Sequence, residues 1–267
     1  MKVVLFCGGL GMRLRDYSDQ MPKPMVPIGY RPILWHLMKY YAHYGHKEFI
    51  LALGYKADTI KNYFLNYDEC VSNDFVLNGS SGKPTLLNSD IQDWKITFVD
   101  TGIHSNIGQR LRAVKRHVEM DEMFLANYSD GLTDLPLGAL VDQHKRSGKV
   151  ATFLCVSPAQ SFHTVTLAAD GHVTDICDLS QSGVNINGGF FAFRREIFDY
   201  IKDGEELVQA PFKRLIEARQ LMAFQYGGFW ASMDTFKDKQ RLDDLHGKGD
   251  APWAIWQRKE LEEKVNA

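Results

Sequence analysis

The chain has no run of about eighteen apolar residues, so no segment of it is long enough to span a bilayer as a helix. Its apolar start, Lys2-Val3-Val4-Leu5-Phe6-Cys7, is too short for a secretory signal. Cysteine is scarce: Cys7, Cys70, Cys155 and Cys177 stand far apart, which excludes CxxC redox and zinc motifs. Cys7 and Cys155 fall in apolar runs and read as small core residues. Neither sign of charge is in excess: 31 basic against 33 acidic residues leave a net charge of −2. That argues against a broad nucleic-acid footprint. HExxH spacing is absent, and so is any convincing Ser–His or His–Asp pairing. Linkers, repeats and low-complexity stretches are missing too. These absences describe a cytoplasmic protein with neither nucleic acid nor membrane as partner.

What is present suits one folded unit. Hydrophobic residues make up 45% and charged residues 24% of 267, the balance of a globular chain rather than a disordered one. At about 150 residues per domain, a single α/β domain accounts for the length. Residues 2–7 form a continuous apolar run, as buried parallel strands do, and a Gly-rich turn follows at once. The pattern then alternates. Helix 32–45 is followed by strand 48–53, helix 56–66, strand 95–100, helix 108–119, strand 123–130, helix 136–147 and strand 150–156. Such alternation predicts βαβ units and a mostly parallel sheet. Beyond residue 156 the pieces 164–168, 171–177 and 187–193 read as a small, mainly β insertion, and 209–219 as a helix. From about 237 the tail is charged and helical. Trp230, Trp253 and Trp256 are expected to pack that tail onto the domain or a neighbouring subunit. Residues 68–93 are polar and rich in turn formers, too long for a plain loop, and suit a flap or an oligomer contact. The histidines His36, His43, His46, His104 and His117 read as helix-face or loop residues rather than ligands.

Two segments carry chemistry. In Gly8-Gly9-Leu10-Gly11-Met12-Arg13-Leu14, glycines directly after a strand let backbone N–H groups approach a phosphate. Arg13, with Lys23 of Lys23-Pro24-Met25, can neutralise its charge. On the glycines alone, a Gly-rich turn with two solvated cations fits as well. In Tyr128-Ser129-Asp130-Gly131 a carboxylate stands at the carboxyl end of a strand, where ligands of open α/β sheets bind. With a second carboxylate, such as Asp234 of Met233-Asp234-Thr235, it could hold Mg²⁺ against phosphate oxygens. On spacing alone, each aspartate equally suits a helix or turn cap.

In order, these segments with Asn187-Gly188-Gly189-Phe190-Phe191, Pro32-Ile33-Leu34-Trp35-His36, Gly227-Gly228-Phe229-Trp230 and Ala251-Pro252-Trp253 resemble the sugar-1-phosphate nucleotidylyltransferases, most of all their cytidylyl-transferring members. The likeness runs from residue 1 to about 257. It implies a Rossmann-like nucleotidyltransferase fold of class α/β, a mixed, mostly parallel sheet flanked by helices with a small β insertion. The domain would span 1–257, with the nucleotide side in 1–156 and the acceptor side in 157–235, and 237–267 forming the helical tail. The implied reaction is attack of a sugar phosphate on the α-phosphorus of CTP, with release of pyrophosphate. The likeness also implies roles. Gly8, Gly9 and Gly11 cradle the nucleotide, Arg13 faces the triphosphate, and Lys23 stabilises charge at the α-phosphate. Asp130 and Asp234 hold Mg²⁺, Asp130 being catalytic with Arg13 and Lys23. Gln109 and Arg110 occupy the segment that contacts the base and nearby groups, and the chain forms a homo-oligomer. A phosphate nucleophile is already anionic near neutral pH, so no general base is required.

The acceptor side departs from the family pattern. A Glu-Lys-Pro whose lysine binds the acceptor phosphate usually precedes the Asn-Gly-Gly strand. Here the stretch from Thr174 to Gly183 holds no Lys or Arg, and Asp178 or Cys177 stands there instead. An acid beside a phosphate dianion is repulsive by roughly a few kcal/mol at an effective dielectric of about 20. His163 falls at or near a glycine of the sugar pocket and, if protonated, offers a cationic partner for phosphate. On the nucleotide side Cys7 replaces a small residue, Ser129 a glycine, and Gln109 the second glycine of Gly-Gly-Arg. The expectation is a CDP-linked product from an acceptor other than plain glucose 1-phosphate, read by His163, Asp178, Asn187 and Gly188. The alternatives are a nucleotide-binding homologue without transfer, or a transferase using UTP or dTTP.

Overall fold

The computed structural model describes residues 1–9, 21–158 and 162–257. The seven strands of its central sheet are β1 (Lys2–Cys7), β2 (Glu48–Leu53), β3 (Lys95–Asp100), β4 (Met123–Asn127), β5 (Ala151–Val156), β6 (Ile186–Arg194) and β7 (Leu221–Tyr226). Their order is β7-β5-β6-β4-β1-β2-β3, and only β6 runs antiparallel to its neighbours. The expected mixed, mostly parallel α/β architecture is therefore present. Among the described residues, the six main helices are α1 (Ile33–His43), α2 (Ala57–Leu65), α3 (Ile107–Ala113), α4 (Leu137–Ser147), α5 (Ala210–Glu217) and α6 (Phe236–Gly247). Among the described residues, no helix is long and apolar enough to cross a membrane.

Strand periodicity divides the core. Val3, Leu5 and Cys7 of β1 face one layer with α1, α4, α6 and Trp253, while Val4 and Phe6 face the other with Leu111, Phe193 and Leu215. Fully burying a Leu or Phe side chain stabilises by about 1.5–3 kcal/mol. Both faces are covered, which is why β1 and β2 read as unbroken apolar runs.

Four expectations need correction. Residues 187–193 belong to the sheet, not to an insertion. Gly188 and Gly189 suggest a turn, but Phe190, Phe191 and Phe193 are each almost fully buried, as an interior strand requires. The β ribbon proper is His163–Leu167 paired with Val173–Asp178. The strand expected over 123–130 ends at Asn127, because Ser129 takes φ +68° and breaks the extended backbone. Helix 108–119 is interrupted at Val114, between α3 and a four-residue turn at Lys115–Val118. Strand β7 was not anticipated: its apolar stretch, Leu221 to Phe224, is short and set between Gln220 and Gln225, and Ala223 and Gln225 are exposed on this sheet edge.

The 68–93 segment carries its own ribbon, Phe75–Leu77 with Pro84–Leu86. It is tied to α1 through Asp90, which accepts from Tyr67 and Ser72, bonds Lys39 at 3.3 Å and faces Arg31 at 3.6 Å. Trp253 and Trp256 bury against Trp35 and His36 within the same chain. Phe229, not Trp230, packs on Trp253.

His36 is the keystone of that contact. Its Nε2 lies 3.0 Å from the Ile28 carbonyl, and Trp253 Nε1 donates to its Nδ1 at 3.3 Å. This pair of partners selects the neutral imidazole with the proton on Nε2. A second proton would set two donors head to head. Burial pushes its pKa down to about 4 from 6.5, and the charges on His246 and Arg31 add to the fall. Between pH 6.5 and 4 the unfolded chain binds a proton that the native chain refuses, so stability present above 6.5 is lost as pH falls. His46 and His144 are pushed down to about 4 mainly by burial and add to the same slope. We expect the urea midpoint to drop between pH 7 and 5, and to drop less steeply in His36→Gln. Equal slopes in the two proteins would contradict the account.

Candidate active site

Six strands point their carboxyl ends to one edge of the sheet, and antiparallel β6 starts there. The loops after β1, β2, β3, β4 and β7 therefore share that edge with Asn187 and Gly188. This crevice is where open α/β sheets place ligands.

Among the described residues, three charged side chains converge in it. Lys23 opens a short helical turn, Lys23–Met25, with Pro24 inside that turn. Its Nζ donates to Asp130 Oδ2 at 2.7 Å and to Asp234 Oδ1 at 2.8 Å, 107 and 211 positions away in sequence. The backbone enforces the meeting. Gly131–Thr133 pairs antiparallel with Trp230–Ser232, and Met233 N donates to the Asp130 carbonyl at 2.9 Å. Asp234 directly precedes the N-cap of α6, where Thr235 and Asp238 close a capping box and Asp238 also accepts from the Asp234 N–H at 3.2 Å.

Electrostatics follow from this crowding. Burial disfavours the Lys23 ammonium, but the two carboxylates, Asp130 first, more than offset it and raise its pKa. The ammonium stays charged at neutral pH. Burial pushes the Asp130 carboxyl up, Lys23 pulls it back, and Asp234 adds to the rise.

Beneath the end of β1 lies another charge. Arg110 of α3 is 2% exposed. Its guanidinium donates to the carbonyls of Gly8 (2.8 Å), Leu53 (3.1 Å) and Gly102 (3.0 Å) and to Thr101 Oγ1 (2.6 Å). One side chain thus ties together the ends of β1, β2 and β3. A Cβ on Gly8 would stand 2.1 Å from the Arg110 guanidinium, so a side chain there would displace the clamp. Its donors therefore face backbone carbonyls and a hydroxyl inside the fold, within the segment expected to contact the base and nearby groups. Gln109 closes a capping box with Asn106 at the start of α3, bonding at 2.9 and 3.0 Å.

The other expected residues are distributed as follows. Gly8 is buried and Gly9 exposed at the end of β1, while Gly11 and Arg13 lie outside the described residues. Asn187 donates to the Tyr128 hydroxyl at 3.2 Å and accepts from Gly189 N at 2.9 Å; the Gly188 carbonyl accepts from Trp230 Nε1 at 2.9 Å. Both flank the Asp130 loop. His163 and Asp178 sit opposite one another on the separate ribbon. Asp178 caps a turn by accepting from Ser180, and these bonds, followed by the facing His163, hold its carboxyl below the usual range. Sequence reasoning missed Trp230 as a cleft residue and Asn127 altogether, whose side chain shapes the turn before Asp130.

The sequence profile of the nucleotidyl transferase family matches residues 2–235. Glucose-1-phosphate cytidylyltransferase of Salmonella typhimurium is 41% identical over 259 residues, covering 96% of this chain and 100% of the relative. A probable glucose-1-phosphate cytidylyltransferase of Bacillus subtilis is 38% identical with the same coverage. In fold, a UDP-glucose pyrophosphorylase complexed with UDP-glucose aligns with a TM-score of 0.68 at 14% identity, over 93% of this chain and 98% of that one. HddC from Yersinia pseudotuberculosis aligns at 0.65 and 20% identity, over 92% and 99%.

We expect Arg110→Met to destabilise the chain by about 3 kcal/mol in urea unfolding, since it leaves buried carbonyls unpaired. A loss below about 1 kcal/mol would contradict the clamp.

Proposed function

The chain belongs to the nucleotidyl transferase family, and on that footing we propose that it transfers a cytidylyl group from CTP to a sugar 1-phosphate, releasing pyrophosphate. The observation that carries the reading is the convergence of Lys23, Asp130 and Asp234 at the carboxyl edge of the sheet. Identity of 41% to a cytidylyltransferase supports the choice of CTP.

The reaction joins an acceptor phosphate oxygen to the α-phosphorus and breaks the bond from that phosphorus to the β-phosphate bridge. No proton has to be moved to make the nucleophile, so the work is positioning and charge neutralisation. Lys23 carries a fixed positive charge on a short turn. In this reading it leaves the two carboxylates for the α-phosphate when nucleotide enters. Asp130 and Asp234 present hard oxygen donors, the chemistry that Mg²⁺ takes up beside phosphates, and the ammonium between them stands in for that cation. Bound there, Mg²⁺ would supply charge neutralisation on phosphate oxygens. The Gly8 and Gly9 backbone, held from below by Arg110, forms the described part of the cradle.

The acceptor remains part of the proposal. From Phe162 through Phe193 the chain carries no Lys or Arg, and the ribbon offers His163 opposite Asp178 instead. This supports a sugar 1-phosphate other than plain glucose 1-phosphate. A cytoplasmic setting and self-association complete the reading. Sedimentation velocity checks the latter, a single species at the mass of one chain counting against it.

The main test is pyrophosphate release with Mg²⁺ over a grid of CTP, UTP and dTTP against sugar 1-phosphates. We expect CTP to be preferred and glucose 1-phosphate to be outrun by another acceptor. Fast, selective turnover of CTP with glucose 1-phosphate sinks the acceptor clause. CTP binding without release from any acceptor leaves a nucleotide-binding protein instead. Asp130→Asn and Asp234→Asn should each lower kcat at least about 100-fold with the fold intact by circular dichroism; full activity in either removes that residue from the site.

A further inference from the structure

The turn that delivers Asp130 is strained, and the groups holding it are not those that hold substrate. Ser129 is fully buried and adopts φ +68°, a left-handed backbone that side chains other than glycine avoid by about 1–2 kcal/mol. Something must hold it there. Asn127, the last residue of β4 and 1% exposed, bends its side chain forward so that Oδ1 accepts the Ser129 N–H at 2.8 Å. Its Nδ2 donates to the hydroxyl of Tyr41 on α1 at 3.3 Å, which fixes the amide's orientation. From the other side, Ser129 Oγ shares a hydrogen bond with Cys7 Sγ at the end of β1, 3.4 Å away. Burial raises the Cys7 thiol to about 12, so it remains a neutral partner. Two of the three departures from the family pattern on the nucleotide side, Cys7 and Ser129, thus touch each other.

Asp130 itself is clamped after the turn by Met233 N on its carbonyl. With its outgoing backbone fixed, the incoming φ and ψ at Ser129 decide where the carboxylate points. A relaxed Ser129 would swing that carboxylate away from Lys23 and Asp234.

We propose that Asn127 is a positioning residue, acting through the left-handed Ser129 to aim the Asp130 carboxylate at its partners. This rests on the functional reading above, in which Asp130 serves nucleotidyl transfer. Asn127 touches no substrate in that reading; it acts only through the turn. A glycine at 129 adopts the left-handed backbone unaided, so the requirement for Asn127 follows from having serine there.

The experiment compares the unaltered chain, Asn127→Ala, and Asn127→Ala combined with Ser129→Gly. Two readouts are taken: Mn²⁺ binding in the presence of CTP by electron paramagnetic resonance, and steady-state pyrophosphate release. We expect Asn127→Ala to weaken Mn²⁺ binding about tenfold and to lower kcat 10- to 100-fold, with the KM for CTP changed less than about threefold. The double variant should regain at least a third of the lost Mn²⁺ affinity. A merely structural role for Asn127 predicts a lower unfolding midpoint with unchanged Mn²⁺ binding, and that outcome overturns the proposal while leaving the transfer reading intact. Failure of the glycine to rescue also overturns it. If the unaltered chain neither binds Mn²⁺ with CTP nor releases pyrophosphate, the functional reading falls, and this proposal falls with it.

Discussion

One ammonium shared between two carboxylates organises the molecule. Lys23, Asp130 and Asp234 come from a turn after the first loop, from the end of β4 and from the N-terminal approach to α6. Two acids brought this close repel unless a cation stands between them. The fold meets that requirement with a lysine on a short proline-bearing turn and with a two-stranded ribbon that locks both acidic loops in register. Much of the surrounding architecture serves this: antiparallel β6 places Asn187 and Gly188 against the Asp130 loop, and Trp230 fastens that strand from the opposite side.

A second cation supports the floor without entering the crevice. Arg110 binds carbonyls at the ends of three adjacent strands, so the Gly8 backbone just after β1 is held by a guanidinium. Buried arginine costs desolvation, visible in its lowered pKa, and is tolerated because oxygens surround its donors. Arg110 and Lys23 thus divide the work, one shaping the cradle and one facing the crevice.

Much of this was legible in the sequence. The bounds expected for β1, β2 and β3 match the observed strands residue for residue: β1 and β2 are covered on both faces and read as apolar runs, while the edge strand β3 is marked by Ile96, Phe98 and Val99. Asp130 and Asp234 were visible as candidates through the order of motifs, although spacing alone said nothing of their contact. Long-range pairing between Gly131–Thr133 and Trp230–Ser232 creates that contact, and no local pattern encodes it. The clamp formed by Arg110 was hidden for a related reason: a motif names a residue type but not the direction its side chain takes. Strand β7 escaped notice as a half-exposed edge. Glycines disguised β6, where Gly189 at φ +77° lets the backbone pass close to the Tyr128 ring.

The central claim is that Lys23 holds the place of a metal ion and moves to phosphate when nucleotide binds. A crystal structure with Mg²⁺ and a non-hydrolysable CTP analogue tests it most directly. The account predicts a metal ion between Asp130 and Asp234, with Lys23 Nζ on the α-phosphate. A nucleotide bound elsewhere, with Lys23 still bridging the two carboxylates, would contradict it.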